Sequence, residues 1–178
     1  MNTLTSSLEF SHFPVMLSEI IQIASPEKGG LFIDCTFGGG SYSNALLKFP
    51  KTKVIGIDRD EAVISRANEL QKKYQKRFKF YQIKFSELDK ILNKNADTII
   101  FDLGLSSIQL KNLNRGFSFK SKNKLDMAMG LNNISAQEAV NNLSEKHLKL
   151  IIKILGEETE ASNIAKNIIK ARSEKKIT

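Results

Sequence analysis

Two rhythms of apolar and polar positions run through the first two-thirds of the chain. Leu31–Cys35, Val54–Asp58 and Thr98–Asp102 are almost continuously apolar, and each ends on or near an aspartate. Short runs of this kind are expected of strands buried in a parallel sheet with helices on both faces. A weaker run, Phe78–Ile83, alternates and is expected nearer an edge. Between these runs Val63, Ala67, Leu70 and Tyr74 recur at spacings that share one helix face. Strand and helix in alternation imply right-handed crossovers and a doubly wound α/β sheet.

After Asp102 the alternation stops. Residues 103–133 are rich in Gly, Asn, Ser and Lys and read as one long loop, which in a compact domain is usually functional or flexible. Only helices follow. Ser135–Glu138 has the capping-box pattern; Leu148, Ile151, Ile152 and Leu155 form a stripe that stops at Gly156, a candidate C-cap; and Ala161, Ile164, Ala165 and Ile168 form another. The expected division is 1–110, a cofactor-binding sheet domain, and 111–178, a loop with part of a helical insert. Four strands with the last one central leave one side of the sheet unfilled. The chain is therefore expected to be part of a larger design, poorly stable alone and prone to aggregate through an open edge.

Composition sharpens this picture. The chain has 178 residues, 41% hydrophobic and 26% charged, which is ordinary globular composition. One cysteine excludes an internal disulfide, and no cysteine–histidine spacing points to a metal. No signal-peptide pattern or membrane-length apolar run is present, so a cytoplasmic protein is expected. The net charge of +8 is uneven: residues 1–110 hold 14 basic and 12 acidic side chains, and residues 111–178 hold 13 and 7. A basic segment beside a nearly neutral one fits a polyanionic partner.

The strongest chemical signal is Asp34-Cys-Thr-Phe-Gly-Gly-Gly-Ser41, placed between the first strand and a helix. Gly38 and Gly40 let the backbone turn tightly and approach a ligand, and the helix start offers free N–H groups. Asp58 lies twenty residues beyond Gly38, at the end of the second strand, where a carboxylate can accept the ribose hydroxyls of a nucleoside. A dinucleotide fingerprint would continue Gly-x-Gly-x-x-Gly; here Ser43 stands in the third place. That substitution, and Asp34 ahead of the glycines, favour S-adenosylmethionine over NAD. A second signal, Asp102–Gln109, sets a carboxylate, hydroxyls and an amide after the last strand. A third interleaves aromatics and cations, Arg115, Phe117, Phe119 and Lys120 with Lys122 and Lys124, which suits base stacking and phosphate pairing. The alternative for Phe117 and Phe119 is to pin the loop to the body.

Seven segments in order, His12–Leu17, Asp34–Gly40, Gly56–Asp60, Phe101–Leu110, Arg115–Phe119, Leu125–Met127 and Gly156–Glu158, resemble the MraW family of bacterial ribosomal RNA methyltransferases. The resemblance implies a Rossmann-like S-adenosylmethionine-dependent methyltransferase domain, here with an incomplete parallel sheet followed by part of the helical insert. It also implies N4-methylation of a cytidine in 16S rRNA near the decoding centre, with small-subunit RNA or the ribosomal subunit as partner. Cofactor contacts would fall on Gly40, Ser41, Tyr42, Asp58, Phe85, Asp102 and Gln109. The chain departs from the family at Ser41-Tyr42, where Gly-His is typical, and at Ala128, where an arginine usually stands. The family's later strands are absent, so a second polypeptide supplying them is a possible partner.

The cytosine amino group is a weak nucleophile, so positioning supplies much of any acceleration. An acceptor for its protons would add to that; Asp102 is the candidate, and its competing role is cofactor contact. Phe85 is expected either to pack on an adenine or to enter the core. His12 is expected to be structural, His147 to lie on a helix surface, and Cys35 to be a small buried residue. The alternatives are a truncated, inactive relative of the enzyme and an NAD-dependent oxidoreductase.

Overall fold

A computed structural model describes residues 14–178 apart from 123, 132 and 133; the expectations for His12 and for the segment before Phe13 lie outside these residues. The chain divides after Ile108 into two compact units.

The first unit is an α/β layer structure. Helix α1 (Leu17–Ala24) precedes β1 (Gly30–Asp34), α2 (Ser41–Leu47), β2 (Thr52–Asp58), α3 (Ile64–Tyr74), β3 (Phe78–Gln82) and β4 (Thr98–Ile100). All four strands are parallel, in the order β3-β2-β1-β4. The sheet is Rossmann-like, and strand order reverses between β1 and β4. In such sheets the crevice beyond the strands' carboxyl ends at this reversal is where ligands bind. The alternating run is an edge strand, as its pattern implied. β4, expected to be central, lies at the other edge, with its outer side unpaired among the described residues.

The stripe read on α3 faces inward: Val63, Ala67 and Leu70 are buried and Tyr74 packs beside them. On this face of the sheet they meet Phe32, Val54, Phe78, Leu46 and Leu47, and α1 covers part of the same core through Leu17, Ile20, Ile21 and Ala24. On the other face Ile33, Cys35 and Ile57 are covered by Leu88, Ile91 and Leu92, in and just after a 3-10 helix over Phe85–Lys90. Polar groups close the joints. Arg77 donates to the Leu47 and Phe49 carbonyls, each at 2.9 Å, satisfying acceptors left free where α2 ends. Asp97 accepts from Leu31 N–H at 2.7 Å and returns its own N–H to the Leu31 carbonyl at 2.8 Å.

Phe37, in the loop after β1, is 2% exposed and packs against Phe78 and Phe80, with ring centroids 5.7 and 5.3 Å away. A Cβ on Gly56 would stand 2.8 Å from the Phe37 ring, and one on Gly40 would stand 2.6 Å from it. The ring occupies the space that both glycines leave open.

α4 (Ser107–Lys111) spans the division between the units. The segment expected to be one long loop thus contains a short helix, and a 3-10 turn at Leu113–Arg115 follows. The second unit continues with α5 (Ala136–Asn142), α6 (Glu145–Ile154) and α7 (Ala161–Glu174). The capping box forms: Ser135 N–H donates to Glu138 Oε2 at 2.8 Å and Glu138 N–H to Ser135 Oγ at 3.1 Å. Arg172 donates to the Val140 and Leu143 carbonyls at the end of α5. Of the α6 stripe only Leu148 is buried; Ile151 and Leu155 are exposed, because α7 offers it little beyond Ala161 and Ala165. The chain leaves α6 in the left-handed conformation at Glu157, with φ 51°, and not at Gly156. Gly156 is required for another reason: a Cβ there would lie 2.7 Å from the Ile152 carbonyl oxygen.

Gly56→Ala should lower stability by about 1–3 kcal/mol through overpacking against Phe37 and Phe78. Gly39→Ala, whose Cβ would meet nothing within 4 Å, should leave it nearly unchanged. Urea unfolding of the two variants side by side measures the difference.

Candidate functional site

The glycine turn is set by what lies beneath it. Phe37 N–H donates to the Ile57 carbonyl at 2.9 Å and the Phe37 carbonyl accepts from Gly40 N–H, so the turn is pinned to β2 at one end and closed on itself at the other. Gly40 is buried and has φ 72°, a left-handed conformation with no room for a Cβ. Gly38 also has positive φ, and Gly39 faces open space. α2 then begins at Ser41, which is half-buried.

Asp58 closes the turn from the second strand. Its Oδ2 accepts from Gly38 N–H at 2.8 Å and its Oδ1 from Asp60 N–H at 2.9 Å. The twenty-residue spacing thus brings these two groups into direct contact. Asp60, buried at the start of the next 3-10 turn, accepts from Ala62 N–H. Burial pushes the Asp58 carboxyl upward, and the amides that bond it pull the other way.

Ser43, the residue in the third-glycine position, is fully buried and donates its hydroxyl to Asp34 Oδ2 at 2.7 Å. Asp34 is itself fully buried, and its Oδ1 has no hydrogen-bond partner among the described residues. Burial pushes this carboxyl up to about 6, against the pull of the Ser43 hydroxyl and nearby backbone amides. Cys35, beside it, is buried, and burial together with the Asp34 charge pushes its thiol up to about 11. Such a thiol stays protonated near neutrality and is no nucleophile.

The segment after β4 meets the same turn. Asp102 N–H donates to Thr36 Oγ1 at 2.7 Å, and a Cβ on Gly38 would lie 3.6 Å from Ser106 Cβ. The Asp102 side chain is exposed. Tyr42 is buried, with its hydroxyl bonded to the Val15 carbonyl. Burial, then the Asp102 and Asp34 carboxylates, push its phenol upward. Gly38, Gly40, Ser41, Tyr42, Asp58 and Asp102 therefore gather around one turn, with Tyr42 acting from below it as a tie to the chain before α1.

Phe85 is outside the core. It is 44% exposed and meets Phe101 edge-on, with centroids 5.5 Å apart. Gln109 is buried in α4. Arg115, Phe117, Phe119 and Lys120 belong to the second unit. There Arg115 donates to the Ala128 carbonyl at 2.6 Å and its guanidinium lies 5.3 Å from the Phe117 ring centroid, whereas Phe119 and Lys120 are exposed. His147 is exposed, at 3.0 Å from the N-cap hydroxyl of Ser144. Sequence reasoning missed Thr36, and also Arg66, whose Nε donates to the Gly39 carbonyl at 3.3 Å. Thr36 lies inside the glycine motif and was visible there; Arg66 carries no local signal.

A family model described as the MraW methylase family matches residues 9–178. The chain belongs to that family. Curated relatives named ribosomal RNA small subunit methyltransferase H match it closely: 44% identity over 169 residues for Orientia tsutsugamushi (strain Boryong), and 43% and 42% over 168 residues for Rickettsia massiliae (strain Mtu5) and Rickettsia akari (strain Hartford). Each alignment covers 94% of this chain but only 54–55% of the relative. The chain spans about half the length of the curated relatives it matches. No helix among the described residues is long and apolar enough to cross a membrane.

The Asp34 carboxyl has a folded-state pKa of about 6, above its ordinary 3.8. Its contribution to stability is therefore fully present below about pH 4 and is lost as pH rises through about 6. Asp34→Asn should remove that fall, worth on the order of 1–3 kcal/mol, from urea midpoints measured between pH 4 and 7.

Proposed function

We propose that this chain is the cofactor-binding part of a methyltransferase that uses S-adenosylmethionine to methylate the N4 amino group of a cytidine in 16S ribosomal RNA, acting in the cytoplasm on small-subunit RNA or the subunit. The observation that carries the reading is the contact between Asp58, at the end of β2, and Gly38, in the turn after β1, beside the sheet's point of reversal. It presents a half-buried carboxylate beside a glycine turn with open space above Gly39. The residues present fit an adenosyl group there. Each Asp58 oxygen already holds one amide and has a further lone pair for a ribose hydroxyl. Gly40 and Ser41 bring backbone close to the ligand, and Phe85 offers an exposed ring for an adenine. Gln109 is assigned to the cofactor by the family resemblance alone. Asp34 and Asp58 together favour a cationic ligand over a diphosphate.

When bound, S-adenosylmethionine supplies an electrophilic methyl group carried on a sulfonium. Asp102 then accepts a hydrogen bond from the attacking amino group and takes its proton, which localises the nitrogen lone pair. Thr36 holds the Asp102 backbone in place for that task. Arg115 to Lys120 form the RNA-facing loop, and the target base enters unstacked.

Isothermal titration should show binding of S-adenosylmethionine and none of NAD; tight binding of NAD alone would overturn the reading. Asp58→Ala should weaken the adenosyl ligand about tenfold to a hundredfold, since hydrogen bonds to a charged acceptor are lost.

Asp102→Asn should leave cofactor affinity near that of the parent while lowering methyl transfer to small-subunit RNA about a hundredfold or more. If cofactor binding fell instead, Asp102 would be a cofactor ligand and not the proton acceptor.

A further inference from the structure

The loop after the 3-10 turn at Leu113–Arg115 is closed at its base and bare at its tip. Met127 N–H donates to the Arg115 carbonyl at 2.9 Å, and the Arg115 guanidinium reaches across to the Ala128 carbonyl. Gly116, with φ 74°, lets the two limbs touch: a Cβ there would lie 3.0 Å from Asp126 N and 3.1 Å from the Lys124 carbonyl. Ser121 donates its hydroxyl to the Leu113 carbonyl and its N–H to Ser118, which fixes the turn that carries residue 119. The two phenylalanines of this loop do different things. Phe117 is half-buried against the Arg115 guanidinium, 5.3 Å from its ring centroid. Phe119 is 110% exposed and stands wholly in solvent.

Holding a full aromatic ring in water forfeits the stability that burial would give, so a ring displayed on a braced loop is explained by what it meets. The charge around it identifies the partner. From residue 103 to residue 125 the chain has five cations, Lys111, Arg115, Lys120, Lys122 and Lys124, and no acidic side chain. Cations track a phosphate backbone, and a protruding ring between them gives a face for a base. We infer that Phe119 is the base-stacking residue of this protein, taking an unstacked nucleobase of single-stranded RNA, and that Arg115 and Phe117 brace the loop that presents it. The inference rests on the reading of the substrate as RNA and deepens it by dividing the loop into a brace and a reader.

The chain contains no tryptophan, so Phe119→Trp introduces a single emission reporter at the loop tip. Titrating that variant with a single-stranded ribo-oligocytidylate should quench the emission. Inorganic polyphosphate, which carries charge without bases, should leave it unchanged. Phe119→Ala should weaken the oligonucleotide about five- to a hundredfold, with the affinity for polyphosphate and the melting temperature both unaltered. Phe119→Leu should lose nearly as much as alanine, because bulk without a π-face cannot stack. Equal oligonucleotide affinity in the parent and Phe119→Ala sinks this inference and leaves the RNA reading standing. So does equal quenching by polyphosphate, or a lowered melting temperature in Phe119→Ala. If the parent binds S-adenosylmethionine but no oligonucleotide, both this inference and the RNA reading fall, and the cofactor reading survives.

Discussion

The first unit is organised around the Phe37 ring. It lies in a slot that exists only because Gly40 and Gly56 carry no side chain, and Phe78 and Phe80 close that slot from β3. Its own backbone is the hinge of the loop, donating to the Ile57 carbonyl and accepting from Gly40. The glycine turn is thus a rigid object whose shape is dictated from below. A turn built on glycine alone would carry the entropy of three freely rotating residues; a turn clamped over a buried ring has lost most of that freedom before any ligand arrives. Preorganisation of this kind lowers the cost of binding.

Above the ring lies a layer of acids at the strands' carboxyl ends. Asp58 acts on Asp34 through space and Asp60 on Asp58, and each of the three is bonded to a hydroxyl or an amide. Partial satisfaction is the informative state. Asp34 is raised by burial, and its Oδ1 has no partner among the described residues, so a positive charge placed nearby would favour its ionised form. A pyrophosphate brought here would meet acids at the strands' carboxyl ends. A ligand with ribose hydroxyls, an ammonium and a sulfonium would meet acceptors. This supports the choice of S-adenosylmethionine over a dinucleotide more directly than counting glycines does.

Features whose signal is local were legible in the sequence. The parallel strands showed as apolar runs, α3 as a one-face stripe, the start of α5 as Ser135 and Glu138, and the pocket as Gly38 with Asp58. What escaped depends on partners far along the chain. Nothing in the Phe37 codon neighbourhood announces that Gly56, nineteen residues on, must be empty to receive its ring. β4 could not be placed at an edge from its own apolar run, because three residues reveal nothing of which neighbours pair with them. The left-handed residue after α6 is Glu157, although Gly156 stands next to it; steric clearance above the Ile152 carbonyl claimed the glycine first. Tyr42 stands in the motif, and its hydroxyl reaches the Val15 carbonyl, a partner twenty-seven residues away that the motif does not announce.

The uneven charge of the chain gains a physical meaning from the two loops. Acids cluster at the strand ends of the first unit, and cations without an acid occupy the loop of the second. A single surface cannot serve both a cationic small molecule and a polyanion, because the field that attracts one repels the other. Under the proposed function, separating the two fields along the sequence would let each ligand be recruited by charge of the appropriate sign. On this reading the +6 of residues 111–178 is a functional quantity, and a lysine-rich composition alone does not account for it, since residues 1–110 carry as many basic side chains yet balance them with acids.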